Sequence, residues 1–98
     1  YRPLKDEFAG IKTVSNVVIY TTMTCPYCFR AKRLLQQKGV KYQEIDVTMS
    51  PGKRAQMTQK ANGRRTVPQI FIGKTHVGGS DELHALERAG KLDNLLSA

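Results

Sequence analysis

The sequence predicts one small α/β domain, a four-stranded mixed sheet flanked by helices in the order β-α-β-α-β-β-α-α. Three observations predict it. Val17–Thr21 (VVIYT) and Gln69–Ile72 (QIFI) are short apolar runs rich in β-branched or aromatic residues, as strands buried in a sheet are. Pro26 and Pro51 each open a stretch with helical spacing, and proline is suited to a first helical position. Gly73-Lys74 separates two strand-like runs at the distance a hairpin turn requires. A βαβ unit followed by a hairpin makes a sheet of mixed direction with helices on both faces.

Residues 1–16 (YRPLKDEFAGIKTVSN) show no clear periodicity and read as an N-terminal arm, with a helical turn around Asp6–Gly10. An opening Tyr1 in place of Met points to processing or to an added stretch, so the folded domain is expected over 17–98. Val17–Thr21 is the first strand. The helix that follows runs from Pro26 to about Lys38, with Cys25 at its N-cap and Gly39 just past its end. Cys28, Ala31, Leu34 or Leu35 and Lys38 recur at three- and four-residue steps and are expected on its inward face. Val40–Val47 alternates and reads as the second strand. Ser50 caps a helix that starts at Pro51, reaches about Ala61 and ends at Asn62-Gly63. Gln69–Ile72 and Thr75–Val77 form the hairpin. Gly78-Gly79-Ser80-Asp81-Glu82 opens a helix with acid in its first turn, stopping near Gly90, and Leu92–Leu96 adds a last short one.

Composition narrows the function classes. At 98 residues and 40% apolar content, the chain supports a single modest core. Its longest aliphatic-aromatic run, Val17–Tyr20, is far too short for a membrane span. Sixteen basic against eight acidic residues give a net charge of +8, which favours anionic partners. The basic residues form no stripe with interleaved aromatics, so nucleic acid is not the expected partner.

Both cysteines fall in one motif, Cys25-Pro26-Tyr27-Cys28. A helix starting at Pro26 leaves the Tyr27 and Cys28 N–H groups without intrahelical partners, beside the Cys25 sulfur. Those donors and the positive helix end favour a thiolate over a thiol, which is the reactive form. Cys28 lies one turn along the same face, where Cβ atoms are about 5–6 Å apart in a regular helix. A disulfide needs about 3.5–4.5 Å, so a small adjustment at the cap closes the bridge. Cys25 is therefore the expected nucleophile and Cys28 the resolving thiol. Two other readings compete. Structural zinc would need further ligands, and His76 and His84, eight residues apart, miss the usual finger spacing. Two inert core cysteines are the remaining reading.

The order of CPYC, then Thr66-Val67-Pro68, then Gly78-Gly79-Ser80-Asp81 resembles a dithiol glutaredoxin over about residues 17–96. Thioredoxins, by contrast, usually carry a tryptophan beside their CGPC motif, and this chain has none. The resemblance implies a thioredoxin-like fold with a cis peptide before Pro68, and glutathione-dependent thiol–disulfide exchange through Cys25 and Cys28. It implies that glutathione pairs with the Val67 main chain as a short added strand. It also implies that the Ser80-Asp81 helix start takes the γ-glutamyl carboxylate and that the Asp81 carboxylate takes the α-ammonium. Tyr27 flanks the sulfur, and Thr66, Pro68 and Gly79 complete the expected glutathione site. Arg54 is the expected partner of the glycyl carboxylate, although the link from Met57 to Gly63 is one residue longer than usual. Arg64 and Arg65 supply further cations.

One departure concerns Thr22, where many relatives carry Lys three positions before the first cysteine. The expected partners are glutathione, glutathionylated proteins and disulfide-containing proteins, ribonucleotide reductase among the candidates. No metal is expected. The chain is expected to act as a cytoplasmic monomer. The rival from another class is a dimer binding an iron–sulfur cluster through Cys25 and glutathione. In the family that behaviour goes mostly with Gly or Ser in place of Pro26.

Overall fold

The computed structural model describes residues 16–97, so the N-terminal arm expected over 1–16 lies outside the described residues except for Asn16. The elements are β1 (Val17–Thr21), α1 (Pro26–Gln37), β2 (Gln43–Asp46), α2 (Pro51–Lys60), β3 (Gln69–Ile72), β4 (Thr75–Gly78), α3 (Ser80–Arg88) and α4 (Leu92–Ser97). Their order is the one the sequence predicts. The sheet runs β2-β1-β3-β4. β1 pairs with β2 in parallel and with β3 antiparallel, and β3 turns back into β4 with an irregularity between Ile70 and Phe71.

Strand alternation sends successive side chains to opposite faces and divides the core in two. Val17 and Ile19 of β1, with Ile70 and Ile72 of β3, pack beneath Ala31, Leu34 and Leu35 of α1, Leu83 of α3, and Leu92 and Leu96 of α4. Tyr20 faces the other way and meets Val47 and Met57, with Val18, Ile45, Val67 and Phe71 against them. This second, smaller layer lies under α2. The two layers carry the Cys25 cap and the Val67–Pro68 turn to the same end of the molecule.

Two local expectations are corrected. β2 is four residues rather than Val40–Val47, because Gly39 turns at φ 70 and the Val40 N–H bonds back to the Leu35 carbonyl. Val40 thus belongs to the close of α1. α1 ends at Gln37, and Lys38 does not extend its apolar face. Its stem is partly covered while Nζ reaches Glu87 Oε1 at 2.7 Å and Asp93 Oδ1 at 2.9 Å, tying α1 to the last two helices. The long link after Met57 is absorbed by Asn62 and Gly63, at φ 57 and φ 94, with the Gly63 N–H closing on the Thr58 carbonyl.

Candidate active site

Cys25 stands at the N-cap of α1 with extended backbone (φ −91, ψ 111), and Pro26 follows as the first helical residue. Its Sγ accepts from the Cys28 N–H at 3.4 Å. The same sulfur lies 3.7 Å from the Val67 carbonyl, a contact spanning 42 residues of sequence. Cys25 is half-buried, whereas Cys28 is only 1% exposed. Burial pushes the Cys28 thiol up to about 12 from an ordinary 9.0, and its hydrogen bond to Cys25 adds to the rise. A donor from the Thr22 main chain and the Lys32 charge oppose it. Cys28 therefore keeps its proton at neutral pH, while Cys25 is the sulfur a substrate can reach. Both cysteines are free thiols.

The peptide between Val67 and Pro68 is cis. Val67 is half-buried and Pro68 buried, while Thr66 is exposed. The start of α3 lies against this turn: a Cβ placed on Gly79 would sit 3.5 Å from the Pro68 carbonyl. Cys25, Val67, Pro68 and Gly79 therefore form one continuous margin, with Tyr27 exposed beside it and Asp81 exposed at its far end. Ser80 is buried, and its carbonyl accepts from His84 Nδ1 at 2.8 Å. The Gly79 N–H is already committed to Glu82 Oε1 at 2.7 Å, so a carboxylate arriving at α3 meets the N–H groups of Ser80 and Asp81 instead. That N–H holds the Glu82 carboxyl below the usual carboxylate range, with the Arg64 charge helping.

Arg54 is placed differently from its neighbours in the proposed site. Its Nη2 donates to the Arg65 carbonyl at 2.9 Å. The shallow hollow of about 480 Å³ that it lines with Pro51, Thr58 and Arg65 shares no residue with the cysteine margin. Arg64 reaches the start of α3 and approaches Glu82 at 3.8 Å. Among the described residues no group of three or more His, Cys, Asp or Glu side chains could hold a metal ion, and His76 and His84 are engaged with Gln69 and Ser80 respectively. No helix among them is long and apolar enough to cross a membrane.

Two contributors were not singled out in the sequence. Glu82 was visible only as acid in a first turn, yet it caps Gly79. Gln69 is fully buried on β3 and bonds the Thr66 carbonyl. The available signal was a lone amide inside the apolar run VPQIFI, directly after the Thr66-Val67-Pro68 motif.

Comparison with known proteins decides the family. The glutaredoxin family model matches residues 17–77. A glutaredoxin of Pseudomonas aeruginosa is 68% identical over 82 residues, which is 84% of this chain and 96% of that protein. The chain belongs to the glutaredoxin family. The solution structure of a Brucella melitensis glutaredoxin superposes with a TM-score of 0.77 at 53% identity, covering 90% of this chain and 95% of that one. The crystal structure of a buckwheat glutaredoxin–glutathione complex superposes at 0.75 with 37% identity, over 89% and 81% of the two chains. The fold is therefore the thioredoxin-like fold of glutaredoxins, and the chain is a thiol–disulfide oxidoreductase carrying its two cysteines as a CxxC pair.

Proposed function

We propose that this glutaredoxin reduces glutathione mixed disulfides and protein disulfides, using glutathione as reductant and Cys25 as nucleophile. The observation that carries the reading is a half-buried sulfur at a helix N-cap, accepting a main-chain N–H and facing the Val67 carbonyl, above a thiol held protonated by burial. The Cys25 thiolate attacks the glutathione sulfur of a protein–glutathione mixed disulfide. A Cys25–glutathione disulfide forms and the protein leaves as a thiolate, which takes up a proton. A glutathione thiolate then attacks that disulfide, releasing oxidised glutathione and restoring Cys25. With an intramolecular protein disulfide, Cys25 instead forms a mixed disulfide with the protein. Cys28 gives up its proton, attacks Cys25 and releases the second protein thiol. Two glutathiones reduce the resulting Cys25–Cys28 bridge and leave as one oxidised glutathione.

Glutathione is proposed to lie along the margin from Cys25 to α3. Its cysteine main chain pairs with Val67 in β-augmentation, beside Thr66 and Pro68. Its γ-glutamyl carboxylate takes the Ser80 and Asp81 N–H groups next to Gly79, and its α-ammonium pairs with the Asp81 carboxylate. Tyr27 flanks the sulfur. Arg54 is the proposed cation for the glycyl carboxylate, which requires its guanidinium to turn from the Arg65 carbonyl toward the ligand. A net charge of +8 attracts anionic glutathione and acidic proteins. A monomer in a reducing cytoplasm, with ribonucleotide reductase among its substrates, fits a dithiol that must be returned to its reduced form.

A coupled assay with glutathione, its reductase and a glutathionylated peptide tests the scheme. Cys25→Ser abolishes all turnover. Cys28→Ser retains deglutathionylation and loses reduction of intramolecular protein disulfides. A Cys28→Ser protein that is inert toward the glutathionylated peptide would overturn the division of roles.

A further inference from the structure

Three consecutive carbonyls lead to the cis proline, and each meets a group from a different element. Arg54 on α2 donates to the Arg65 carbonyl at 2.9 Å. The Gln69 amide on β3 donates to the Thr66 carbonyl at 3.0 Å and to Thr66 Oγ1 at 3.2 Å. Cys25 Sγ lies 3.7 Å from the Val67 carbonyl. The middle clamp has a feature the others lack: Gln69 is 0% exposed, a polar side chain in the inner layer of the sheet. Burying an amide without partners is costly, and Gln69 is fully partnered.

Its orientation follows from the inventory of donors. A carbonyl only accepts, so the amide nitrogen faces Thr66 and Oε1 faces the other way. Oε1 lies 2.7 Å from His76 Nε2 and also only accepts, so Nε2 carries the hydrogen. His76 is in turn stacked on Phe71 (4.9 Å between centroids, 23° between planes), and Phe71 meets Tyr20 edge-on at 5.8 Å. A directed chain thus runs from the aromatic layer through His76 and Gln69 to the main chain just before Val67. Strand pairing does not require it, since β3 and β4 are joined through their backbones. A leucine at position 69 would fill similar space with no polar group to satisfy.

We infer that Gln69, oriented by His76, is a positioning residue. It holds the Thr66–Val67 main chain where an extended peptide can pair beside Cys25, and so governs how tightly glutathionylated substrate docks rather than how reactive the sulfur is. The inference rests on the reading that Val67 is the docking strand for glutathione.

The test compares Gln69→Leu, His76→Phe and His76→Gln with the parent protein. Phe keeps a ring on Phe71 and removes the N–H, whereas Gln restores a donor. KM and kcat are measured with a glutathionylated peptide, and the rate of Cys25 alkylation by iodoacetamide is measured separately. Gln69→Leu and His76→Phe are expected to raise KM roughly three- to tenfold, the range one lost neutral hydrogen bond allows. Their kcat and alkylation rate stay within about twofold, the pattern of lost binding rather than lost chemistry. His76→Gln recovers most of the KM. An unchanged KM in both disrupted variants overturns the inference, as does an alkylation rate that falls in step with binding. If Gln69→Leu lacks the native circular dichroism spectrum, the half-exposed His76 pair of variants decides by the same criteria. A parent protein that alkylates normally but does not turn over the glutathionylated peptide sinks the glutathione reading itself, and the inference with it. That result is seen without any variant and so is distinct from a failure of positioning.

Discussion

The burial of Cys28 makes a quantitative claim about reactivity. Its thiol is pushed from 9.0 to about 12, with desolvation as the largest cause and the Cys25 hydrogen bond next. Three powers of ten separate those values, so below pH 9 its thiolate is about a thousandfold scarcer than in an unfolded chain. Only the thiolate alkylates readily. A more basic thiolate is also more nucleophilic, which offsets part of that scarcity. Cys28 in the reduced native protein should therefore react with iodoacetamide at least about thirtyfold more slowly than in the same chain under guanidinium, before steric cover is counted. The assay is a short pulse at neutral pH, an acid quench, digestion, and mass spectrometry of the two adducts. Cys25→Ala removes the secondary cause and leaves the primary one, so Cys28 in that variant should remain strongly protected. Alkylation of native Cys28 within about tenfold of the denatured rate would refute the reasoning. The same shift fixes a pH dependence. Between 9.0 and about 12 the unfolded chain has lost a proton that the folded chain keeps. Its contribution to the stability of the reduced protein is thus complete below pH 9.0 and lost as pH climbs toward about 12. Cys28→Ser, which cannot titrate, should flatten that part of the alkaline limb.

Other perturbations have equally definite outcomes. Met57→Ala empties a fully buried position between Tyr20 and Val47, and urea unfolding should register a loss of about 2–5 kcal/mol; less than about 1 kcal/mol would mean α2 is not held through this residue. Glu82 has its carboxyl lowered from 4.5 by the Gly79 N–H, so its charge stabilises the fold above pH 4.5 and ceases to as pH falls through the lower folded value. The melting-temperature gap between the parent and Glu82→Gln should accordingly close in acid, and a gap independent of pH would remove the charge from the account. Thr22→Lys should tighten glutathione binding by about 0.2–1 kcal/mol, as an exposed charge pair allows, and calorimetry showing no gain would count against the proposed pose.

Much of this protein is written in short-range signals. Pro26 and Pro51 mark their helix starts, Ser50 caps α2 by accepting the Lys53 N–H, and the apolar runs at Val17–Thr21 and Gln69–Ile72 are strands at the expected bounds. These features depend on φ preferences, caps and side-chain period, which neighbours within a few residues decide. The pairing of Cys25 with Cys28 at one helix start was legible for the same reason. Lys38 was not: its spacing matched an apolar face, but Glu87 and Asp93 arrive from helices some fifty residues on. Only docking brings them there. The same holds for the Val67 carbonyl at Cys25, the burial that keeps Cys28 protonated, and the Gln69 clamp on Thr66 that His76 completes. Sequence alone set the elements and named the reactive pair, because those are local choices. That Cys28 keeps its proton, and what main chain stands before Cys25, were decided by the tertiary structure, since desolvation and hydrogen-bond geometry exist only once distant segments close around them.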